Sequence, residues 1–464
     1  MTGMRSDEYA MTVISLQDKL DQAGGPVRML RESQMGPYVY PIPAEFSNWR
    51  DEQRAWREGV ALLDQSFHMT DLYIEGPDAL RLLSHVGING FANFGRNKAK
   101  QLVTCSPDGY VIGDAILFGL EDDRVLIIGR PVVANWVQFN AETGGFDVQV
   151  ERDERSLSNP KPRKTYRFEI QGPKAPPLLE KLNGGPLEPI KFFNMGEIRI
   201  AGRTVRALRH GMGGAPGLEI WGPLSEGAEI KAAILEAGGE FGLRQVGGRA
   251  YGSVAVESGW IPSPLPAIYS GESMRAYRDW LKADSFESLA SLGGSFCSDR
   301  VEDYYLTPWD LDYGRLIRFD HDFIGRAALE RMASGPHRRK VTLVWNPNDV
   351  LAVQGSLYGN DLPGKFMEMP TPHYAAFPYD KVASQDRTVG ISTYAAYTAN
   401  ERAWISLAII NEEVARLGTE LTVIWGEEGG GSKRPVVERH RQMPIRAVVN
   451  PWPYSKLARS EYRR

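Results

Sequence analysis

The chain has 464 residues, of which 42% are hydrophobic and 24% are charged, and its 54 basic and 58 acidic side chains give a formal net charge of −4. These proportions are typical of a globular protein and exclude long disorder, and the length allows about three domains. The balanced charge disfavours a nucleic-acid partner. Two cysteines cannot form a disulfide framework. Because no apolar run approaches the ~20 residues that cross a bilayer, and the N-terminus lacks a signal peptide's apolar segment, we expect a cytoplasmic protein with no membrane partner.

A strand, a Gly-Pro turn and a helix occur twice in the first half of the chain. Residues 71–75 and 167–170 alternate like strands, and each runs into a Gly-Pro turn, at Gly76 and Gly172. A helical pattern follows each turn. It has proline at its first turn and glycine at its end, which is typical of helices. The offset of 96 residues between the two glycines predicts two similar α+β units. Two unrelated, well-capped helices would give the same pattern.

The middle of the chain predicts a hairpin and a helix, and the tail predicts a barrel. Apolar runs at 111–118 and 125–128 flank an acidic turn, which indicates a β-hairpin, and residues 227–242 have the spacing of an amphipathic helix. After Ser334-Gly335-Pro336, turn residues separate five short alternating runs, at 341–345, 389–393, 404–409, 421–425 and 445–449. Such strands favour a small antiparallel barrel, so we divide the chain into domains 1–335 and 336–464.

The sequence lacks the usual motifs for metals and nucleotides. Its seven histidines include no pair three or four residues apart, and no Cys-x-x-Cys occurs. Residues 426–433 are glycine-rich, but their lysine follows serine, unlike a phosphate loop. Residues 211–217 carry proline where the third Rossmann glycine would stand, with no βαβ unit around them. We therefore expect no metal, flavin or nicotinamide cofactor.

Five polar side chains stand in strand or turn contexts where a site could form: His68, Asp114, Arg130, Glu219 and Tyr251. Most have an ordinary structural interpretation as well. His68 could be a hydrogen-bonded core histidine and Arg130 an ion-pair partner. Glu219 could be the exposed residue of a strand, and Tyr251 a core aromatic. Spacing alone does not choose between these interpretations and a functional one.

Three motifs follow one another in a fixed order: Gln171-Gly-Pro-Lys-Ala175, Gly217-Leu-Glu219 and Asp320-His-Asp-Phe-Ile-Gly-Arg326. As a set they resemble the glycine-cleavage T-protein (aminomethyltransferase) family over most of the chain. The resemblance implies an α+β fold of three domains in a cloverleaf, made of two similar α+β units and a C-terminal antiparallel β-barrel. It also implies that tetrahydrofolate binds in the central opening.

Further stretches, among them Glu45-Phe-Ser-Asn-Trp-Arg50, Asn97-Lys-Ala-Lys-Gln101 and Glu257-Ser-Gly-Trp260, are similar to one branch of that family. This branch comprises the tetrahydrofolate-dependent aryl O-demethylases, which act on vanillate, 3-O-methylgallate, syringate or the herbicide dicamba. The resemblance implies a methyltransferase of aromatic catabolism. It would move the aryl ether O-methyl group of a methoxybenzoate to N5 of tetrahydrofolate and release a phenol.

The resemblance assigns five side chains to the aromatic substrate. Tyr251 matches the tyrosine that protonates the departing phenolate, and its ordinary pKa of ~10 matches that of a phenol; such general acid help is worth ~10²–10⁴-fold in rate. His68 is the alternative donor. Arg130 would hold the substrate carboxylate, for which a guanidinium offers a bidentate fork. Tyr40 and Gln65 match other positions in the same pocket.

Four further side chains would bind the folate: Glu219, Gln171, Trp260 and Asp114. Glu219 matches the glutamate that hydrogen-bonds the pterin ring, and Asp114 would orient the reacting end.

Two alternatives stay open. One is aminomethyl transfer of the glycine-cleavage type, which is disfavoured because residues 211–217 replace the Tyr-Thr-Gly-Glu-Asp-Gly stretch of the T-protein. The other is a folate-binding regulatory or assembly protein on the same fold. Tyr251 and Arg130 favour the enzyme, since a protein that only binds folate needs neither, and no cysteine lies in the Lys-Gly-Cys motif of the assembly branch.

Overall fold

The computed structural model describes residues 13–157, 159, 161–262 and 264–460. The first twelve residues, on which the argument against a signal peptide rests, lie outside this part of the chain. The strands are β1 (Ala61–Asp64), β2 (Thr70–Glu75), β3 (Ala99–Cys105), β4 (Val111–Gly119), β5 (Arg124–Gly129), β6 (Gln149–Asp153), β7 (Thr165–Gln171), β8 (Met195–Ile200), β9 (Arg203–Leu208), β10 (Gly217–Pro223), β11 (Arg244–Gln245), β12 (Leu292–Gly293), β13 (Arg339–Trp345), β14 (Phe377–Pro378), β15 (Asp380–Ser384), β16 (Arg387–Thr398), β17 (Ala403–Ile410), β18 (Glu420–Trp425) and β19 (Met443–Asn450).

The helices are α1 (Leu16–Ala23), α2 (Pro26–Glu32), α3 (Trp49–Glu58), α4 (Ala79–Val86), α5 (Pro131–Thr143), α6 (Ala175–Asn183), α7 (Leu224–Gly238), α8 (Gly248–Tyr251), α9 (Val254–Ser258), α10 (Arg275–Trp280), α11 (Phe286–Leu289), α12 (Arg326–Met332), α13 (Pro347–Gly355) and α14 (Lys456–Ser460). The predicted helix at 227–242 is confirmed as α7, which begins three residues earlier and closes with a 3-10 turn at Gly239–Phe241.

Two sheets form the first two thirds of the molecule. The first has the strand order β3-β4-β5-β2-β6 and the second the order β11-β1-β7-β10-β9-β8. The predicted hairpin is confirmed, because β4 and β5 pair antiparallel. Helix α5 packs with the first sheet and with α4, and α6 and α7 pack with the second sheet. The alternation of Phe168 and Ile170 with polar neighbours on β7 buries these two side chains under α6 and α7.

The duplicated Gly-Pro turn has the same physical cause in both units. Gly76 and Gly172 adopt φ values of 143° and 134°, which disfavour any residue with a side chain. A Cβ atom on Gly76 would lie 2.5 Å from the carbonyl oxygen of Asp147, and one on Gly172 would lie 2.4 Å from that of Gly59. Each glycine therefore lets a strand end pass close against a neighbouring backbone, and the predicted pair of similar α+β units is confirmed.

The two sheets meet through both backbone and side chains. The Ala99 N–H donates to the Phe193 carbonyl and the Met195 N–H donates to the Asn97 carbonyl, each at 2.8 Å. Phe118 of the first sheet packs against Trp221 of the second, with ring centroids 5.0 Å apart, inside a small cluster drawn from both sheets. The loops and strand ends around this junction carry most of the predicted site residues.

The tail forms a closed barrel of order β13-β17-β16-β15-β18-β19, in which neighbouring strands are antiparallel. All five predicted strands are confirmed. The sixth, β15, was not predicted, because Val382 and Ala383 alone are apolar in its five residues and its register shifts between them. The α+β class with a C-terminal β-barrel is confirmed, whereas the division at residue 335 stays a prediction.

Candidate active site

A cavity of about 190 Å³ lies at the junction of the two sheets. Five of the nine predicted site residues line it: Gln65, Asp114, Arg130, Glu219 and Trp260. They come from the β1–β2 connection, from β4, from the end of β5, from β10 and from the segment after α9. The fold thus brings together residues that are up to 195 positions apart in the sequence, between Gln65 and Trp260.

Glu219 provides a fixed carboxylate on the cavity wall. Its side chain is buried, and Oε1 accepts a hydrogen bond of 2.6 Å from Nη1 of Arg167 on β7. Nδ1 of His210 lies 3.7 Å from Oε2. Burial acts to raise the pKa of Glu219, but His210 and the charge of Arg167 outweigh burial and hold this pKa below its ordinary value. The group is therefore an anion that faces hydrogen-bond donors.

Asp114 on β4 provides a second carboxyl group and positions Trp260. Its Oδ2 accepts hydrogen bonds from Nε2 of Gln101 at 2.8 Å and from Nε1 of Trp260 at 3.1 Å. Its Oδ1 is buried and has no hydrogen-bond partner within the described part of the chain. Burial raises the pKa of Asp114. One carboxyl oxygen thus stays available to a ligand in the cavity.

Arg130 stands between two cavities. It follows β5 directly and precedes Pro131, the first residue of α5. Its guanidinium carbon lies 4.5 Å from the ring centroid of Tyr38, and Nη1 donates to the hydroxyl of Tyr394 at 3.3 Å. Arg130 also lines a second cavity of about 340 Å³, together with Tyr40. Among the residues that the structure describes, no carboxylate forms an ion pair with Arg130, so the interpretation as an internal ion-pair partner loses its support.

Tyr251, His68 and Tyr40 form an aromatic cluster beside the cavity. The Tyr251 hydroxyl lies 3.1 Å from Nε2 of His68 and donates to Sδ of Met212 at 3.7 Å, and Met212 lines the cavity. The ring centroid of Tyr40 lies 4.5 Å from that of Tyr251 and 5.2 Å from that of His68. Burial raises the pKa of Tyr251 well above its ordinary value. The hydroxyl therefore keeps its proton at neutral pH.

His68 is neutral in this environment. Burial, reinforced by the positive charges of Arg155 and Arg130, lowers its pKa to about 3. A neutral imidazole next to the Tyr251 hydroxyl orients that hydroxyl, but it is a weak proton donor itself. The two residues that the sequence offered as alternative donors are therefore neighbours, and at neutral pH both are uncharged.

Gln171 lies behind the cavity and supports a glycine-rich loop. Its Nε2 donates to the Ala215 carbonyl at 3.0 Å, and its Oε1 accepts from the Gly213 N–H at 2.7 Å. Both ends of the amide thus hold loop 211–217, which supplies Gly211 and Met212 to the cavity wall. Its predicted contact with folate stays a prediction.

Glu169 on β7 is a buried residue that the sequence analysis missed. Its Oε1 accepts from the Met212 N–H at 2.8 Å, and its Oε2 accepts from Nε2 of Gln65 at 2.5 Å. Burial, reinforced by the negative charge of Glu219, raises the pKa of Glu169 to about 8. A signal was present, because Arg167 and Glu169 alternate with apolar residues in the predicted strand 167–170 and Gln171 follows at the same spacing. Such spacing places the three polar side chains on one face, away from the helices.

Two further properties concern metals and membranes. Within residues 13–460, apart from the three undescribed positions, no group of three or more His, Cys, Asp or Glu side chains is arranged to hold a metal ion. None of the helices in the same part of the chain has the length and apolar character needed to cross a bilayer.

Comparisons with known proteins agree with this geometry. Residues 18–263 match the family model of the GCVT N-terminal domain. Syringate O-demethylase of a Sphingobium species is 47% identical over 450 residues, which cover 97% of each chain. Sesamin methylene transferase of a Sinomonas species is 30% identical over 438 residues, 90% of this chain and 91% of that one. The crystal structure of the glycine cleavage system aminomethyltransferase T from Bartonella henselae superposes with a TM-score of 0.61 over 92% of this chain and 95% of that one, at 17% identity, a likeness of fold alone.

Two sheets joined at their edges and a C-terminal barrel define an aminomethyltransferase type of fold, as the structural likeness shows. The chain belongs to the GCVT family. The family predicted from the sequence, and the three-domain T-protein-like fold that it implies, are confirmed.

Proposed function

We propose that the protein is a tetrahydrofolate-dependent O-demethylase that transfers the aryl ether methyl group of a methoxybenzoate. One observation carries the proposal: a buried, protonated Tyr251 hydroxyl stands beside a cavity that is also lined by an anionic carboxylate, Glu219, and by a cation, Arg130, that has no carboxylate partner among the described residues. A methoxybenzoate and a reduced pterin need these three chemical groups together.

The folate end of the cavity fits the pterin. Glu219, fixed by Arg167, would accept hydrogen bonds from the amino and ring N–H groups, which form a charge-assisted pair with a carboxylate. Asp114 would use its buried Oδ1, which has no hydrogen-bond partner among the described residues, and Trp260 would line the same slot. Bound tetrahydrofolate supplies N5 as the nucleophile that accepts the methyl group, and it leaves as 5-methyltetrahydrofolate.

The aromatic end holds the acid and moves one proton. Arg130 would bind the carboxylate of the benzoate as a bidentate partner, while Tyr40 and Gln65 would contact the ring. As the bond between the methyl carbon and the ether oxygen breaks, that oxygen leaves with the electron pair and takes the hydroxyl proton of Tyr251. The buried site excludes water and holds the reacting atoms near each other, which supplies further acceleration.

The relatives narrow the choice of substrate. Syringate O-demethylase is nearly half identical along the whole chain, so syringate is the first substrate to test, followed by vanillate, 3-O-methylgallate and dicamba. The proposal places the reaction in the cytoplasm, with no metal, flavin or nicotinamide cofactor and no nucleic-acid partner. A folate-binding regulatory protein and a glycine-cleavage aminomethyltransferase are its competitors.

The deciding experiment uses the purified protein with tetrahydrofolate and each of these four methoxybenzoates. We expect equal amounts of demethylated phenol and 5-methyltetrahydrofolate, measured by chromatography. Omission of tetrahydrofolate is the control and should abolish phenol formation. Folate binding without demethylation of any of them would contradict the proposal in favour of the regulatory protein, and methylene transfer from the aminomethyl form of a lipoyl protein would favour the aminomethyltransferase.

A further inference from the structure

Two buried glutamates face each other at the centre of the second sheet. Glu169 on β7 is the direct cross-strand partner of Glu219 on β10, and both side chains are buried. Directly opposed residues of an antiparallel pair have Cβ atoms roughly 4.5–5.5 Å apart. Two carboxyl groups so close together in a buried setting do not both ionise, because the second charge would meet both the first charge and the loss of solvation. One of the two therefore carries a proton.

The partners of each glutamate decide which one carries it. Glu219 has Arg167 at 2.6 Å and His210 at 3.7 Å, so it holds the negative charge. The hydrogen-bond partners of Glu169 are neutral, namely the Met212 N–H and the Gln65 amide. Burial and the charge of Glu219 act in the same direction, and the pKa of Glu169 rises to about 8. At pH 7 the proton thus lies on Glu169.

The carboxylic proton of Glu169 needs an acceptor, and the Gln65 amide can provide one. The Met212 N–H is a donor only. A half-turn of the Gln65 amide places its oxygen on the Glu169 hydroxyl and moves its NH₂ group to the position of Oε1. This atom is buried and has no hydrogen-bond partner among the described residues, and Gln65 itself lines the cavity. Gln65 also interacts with the Tyr251 hydroxyl and acts to lower the Tyr251 pKa, against the larger effect of burial. The amide therefore links Glu169 to Tyr251.

We propose that Glu169 is a positioning residue of the demethylation, which in its neutral form turns the Gln65 amide so that an N–H faces the Tyr251 oxygen. The inference rests on the proposed function. When Tyr251 gives its proton to the departing phenolate, negative charge forms on the Tyr251 oxygen. The Gln65 N–H then stabilises that charge. An ionised Glu169 would instead reverse the amide and add a second negative charge nearby, which opposes the proton transfer.

The neighbouring groups whose pKa values are shifted do not titrate between pH 7 and pH 9. Among the described residues, the charged and titratable side chains around Glu169 and Tyr251 are Glu219, His68 and Tyr40, with Arg167 and His210 against Glu219. Burial lowers the pKa of His68 to about 3 and raises that of Tyr40 to about 12, and the pKa of Glu219 is held below its ordinary value. If kcat declines between pH 7 and pH 9 in the wild type but not in E169Q, the decline is therefore assigned to Glu169.

The test is the pH profile of kcat for the wild type and for E169Q. Because a group with a pKa of about 8 is about one tenth protonated at pH 9, the wild-type kcat should be about tenfold lower at pH 9 than at pH 7. The amide in E169Q imitates the protonated acid, since its oxygen accepts from the Met212 N–H and its NH₂ donates to Gln65. E169Q should keep near-wild-type kcat at pH 7 and lose the alkaline decline.

E287Q is the matched control. Glu287 is also fully buried with a raised pKa, but it is hydrogen-bonded to Asn135 away from the cavity. E287Q should keep the wild-type profile. If kcat of E169Q declines with pH as much as that of the wild type, the inference is overturned, because substitution of a merely structural glutamate would leave the pH profile unchanged. A loss of more than tenfold in kcat of E169Q at pH 7 also overturns it.

An infrared titration tests the same claim without substrate. The wild type at pH 7 should show the carbonyl band of a protonated carboxylic acid that is missing in E169Q and fades as the pH passes about 8. Absence of that band overturns the inference whatever the enzyme assay gives. Failure to demethylate any methoxybenzoate overturns the proposed function instead, so the two failures are distinguishable.

Discussion

Replacement of Tyr251 by Phe removes one hydroxyl and nothing else. The ring keeps its packing in a cluster with Ala250, Val254 and Trp49. Without the hydroxyl, Nε2 of His68 loses the hydrogen-bond partner that lies 3.1 Å away in the wild type. Because a buried polar atom is left without its partner, the free energy of unfolding falls by about 1–3 kcal/mol. If the hydroxyl protonates the departing phenolate, kcat falls by ~10²-fold or more, which corresponds to about 2.7 kcal/mol in the barrier.

The assay is turnover of a series of methoxybenzoates whose phenol products differ in acidity. Ring chlorines make the phenol more acidic, so chlorinated substrates need less proton assistance and Tyr251→Phe should lose less kcat on them than on electron-rich ones. Tyr277→Phe is the control, because it removes another buried hydroxyl, which donates to Glu287 away from the cavity, and it should leave kcat unchanged.

Two results would refute the reasoning about Tyr251. An equal loss across the series would mean that Tyr251 positions the substrate and does not act as the acid. Turnover of Tyr251→Phe at the wild-type rate would remove Tyr251 from the chemistry altogether. His68 would then have to donate as a neutral imidazole, since its pKa of about 3 leaves almost no imidazolium at neutral pH.

Four further results follow from the structure. Glu219→Gln should weaken tetrahydrofolate binding by about 1.5–3 kcal/mol, the range for hydrogen bonds to charged groups; unchanged affinity in calorimetry would remove Glu219 from the folate site. Arg130→Ala should raise KM for the benzoate and leave the folate Kd unchanged, and guaiacol, which lacks a carboxylate, should be a poor substrate of the wild type; efficient turnover of guaiacol would contradict the carboxylate contact. His68 takes up a proton in the unfolded chain below its ordinary pKa of 6.5 but only near 3 in the folded chain, so the free energy of unfolding should fall by up to about 1.4 kcal/mol per pH unit from pH 6.5 towards pH 3, a slope that denaturant titrations should find reduced in His68→Gln. Gly172→Ala should destabilise the fold by about 1–3 kcal/mol, because its φ is 134° and the new Cβ would lie 2.4 Å from the Gly59 carbonyl; an unchanged Tm would show that the turn relaxes freely.

The elements that the sequence predicted are those whose signal is local. The repeated strand-turn-helix units were visible because Gly76 and Gly172 mark both turns, and the hairpin was visible because an acidic turn separates two apolar runs. In contrast, β15 has two apolar residues in five, so its place in the barrel is set by pairing with β16 and β18. Such pairing depends on residues distant in the sequence, which a local pattern does not contain.

The sequence predicted which residues belong to the site better than it predicted the contacts between them. The hydrogen bond between Trp260 and Asp114 joins residues 146 positions apart, and no spacing rule predicts it. Gln171 belongs to the polar row of β7, but its use as a support for loop 211–217 depends on the path of that loop. Glu169 belongs to the same row and was missed, because the acidity of a buried carboxyl depends on the neighbouring strand, here on Glu219.

The support of loop 211–217 by Gln171 has a thermodynamic consequence. Four of the seven loop residues are glycines, and an ordered backbone loses roughly 1–2 kcal/mol of conformational entropy per residue. Because the Gln171 amide fixes the loop from both ends in the folded chain, this entropy is lost during folding, before any ligand arrives. Ligand binding then needs little ordering of the wall that Gly211 and Met212 form, and a larger share of the contact energy appears as affinity. The free energy of folding therefore includes the cost of ordering this loop, and the binding site is preorganised.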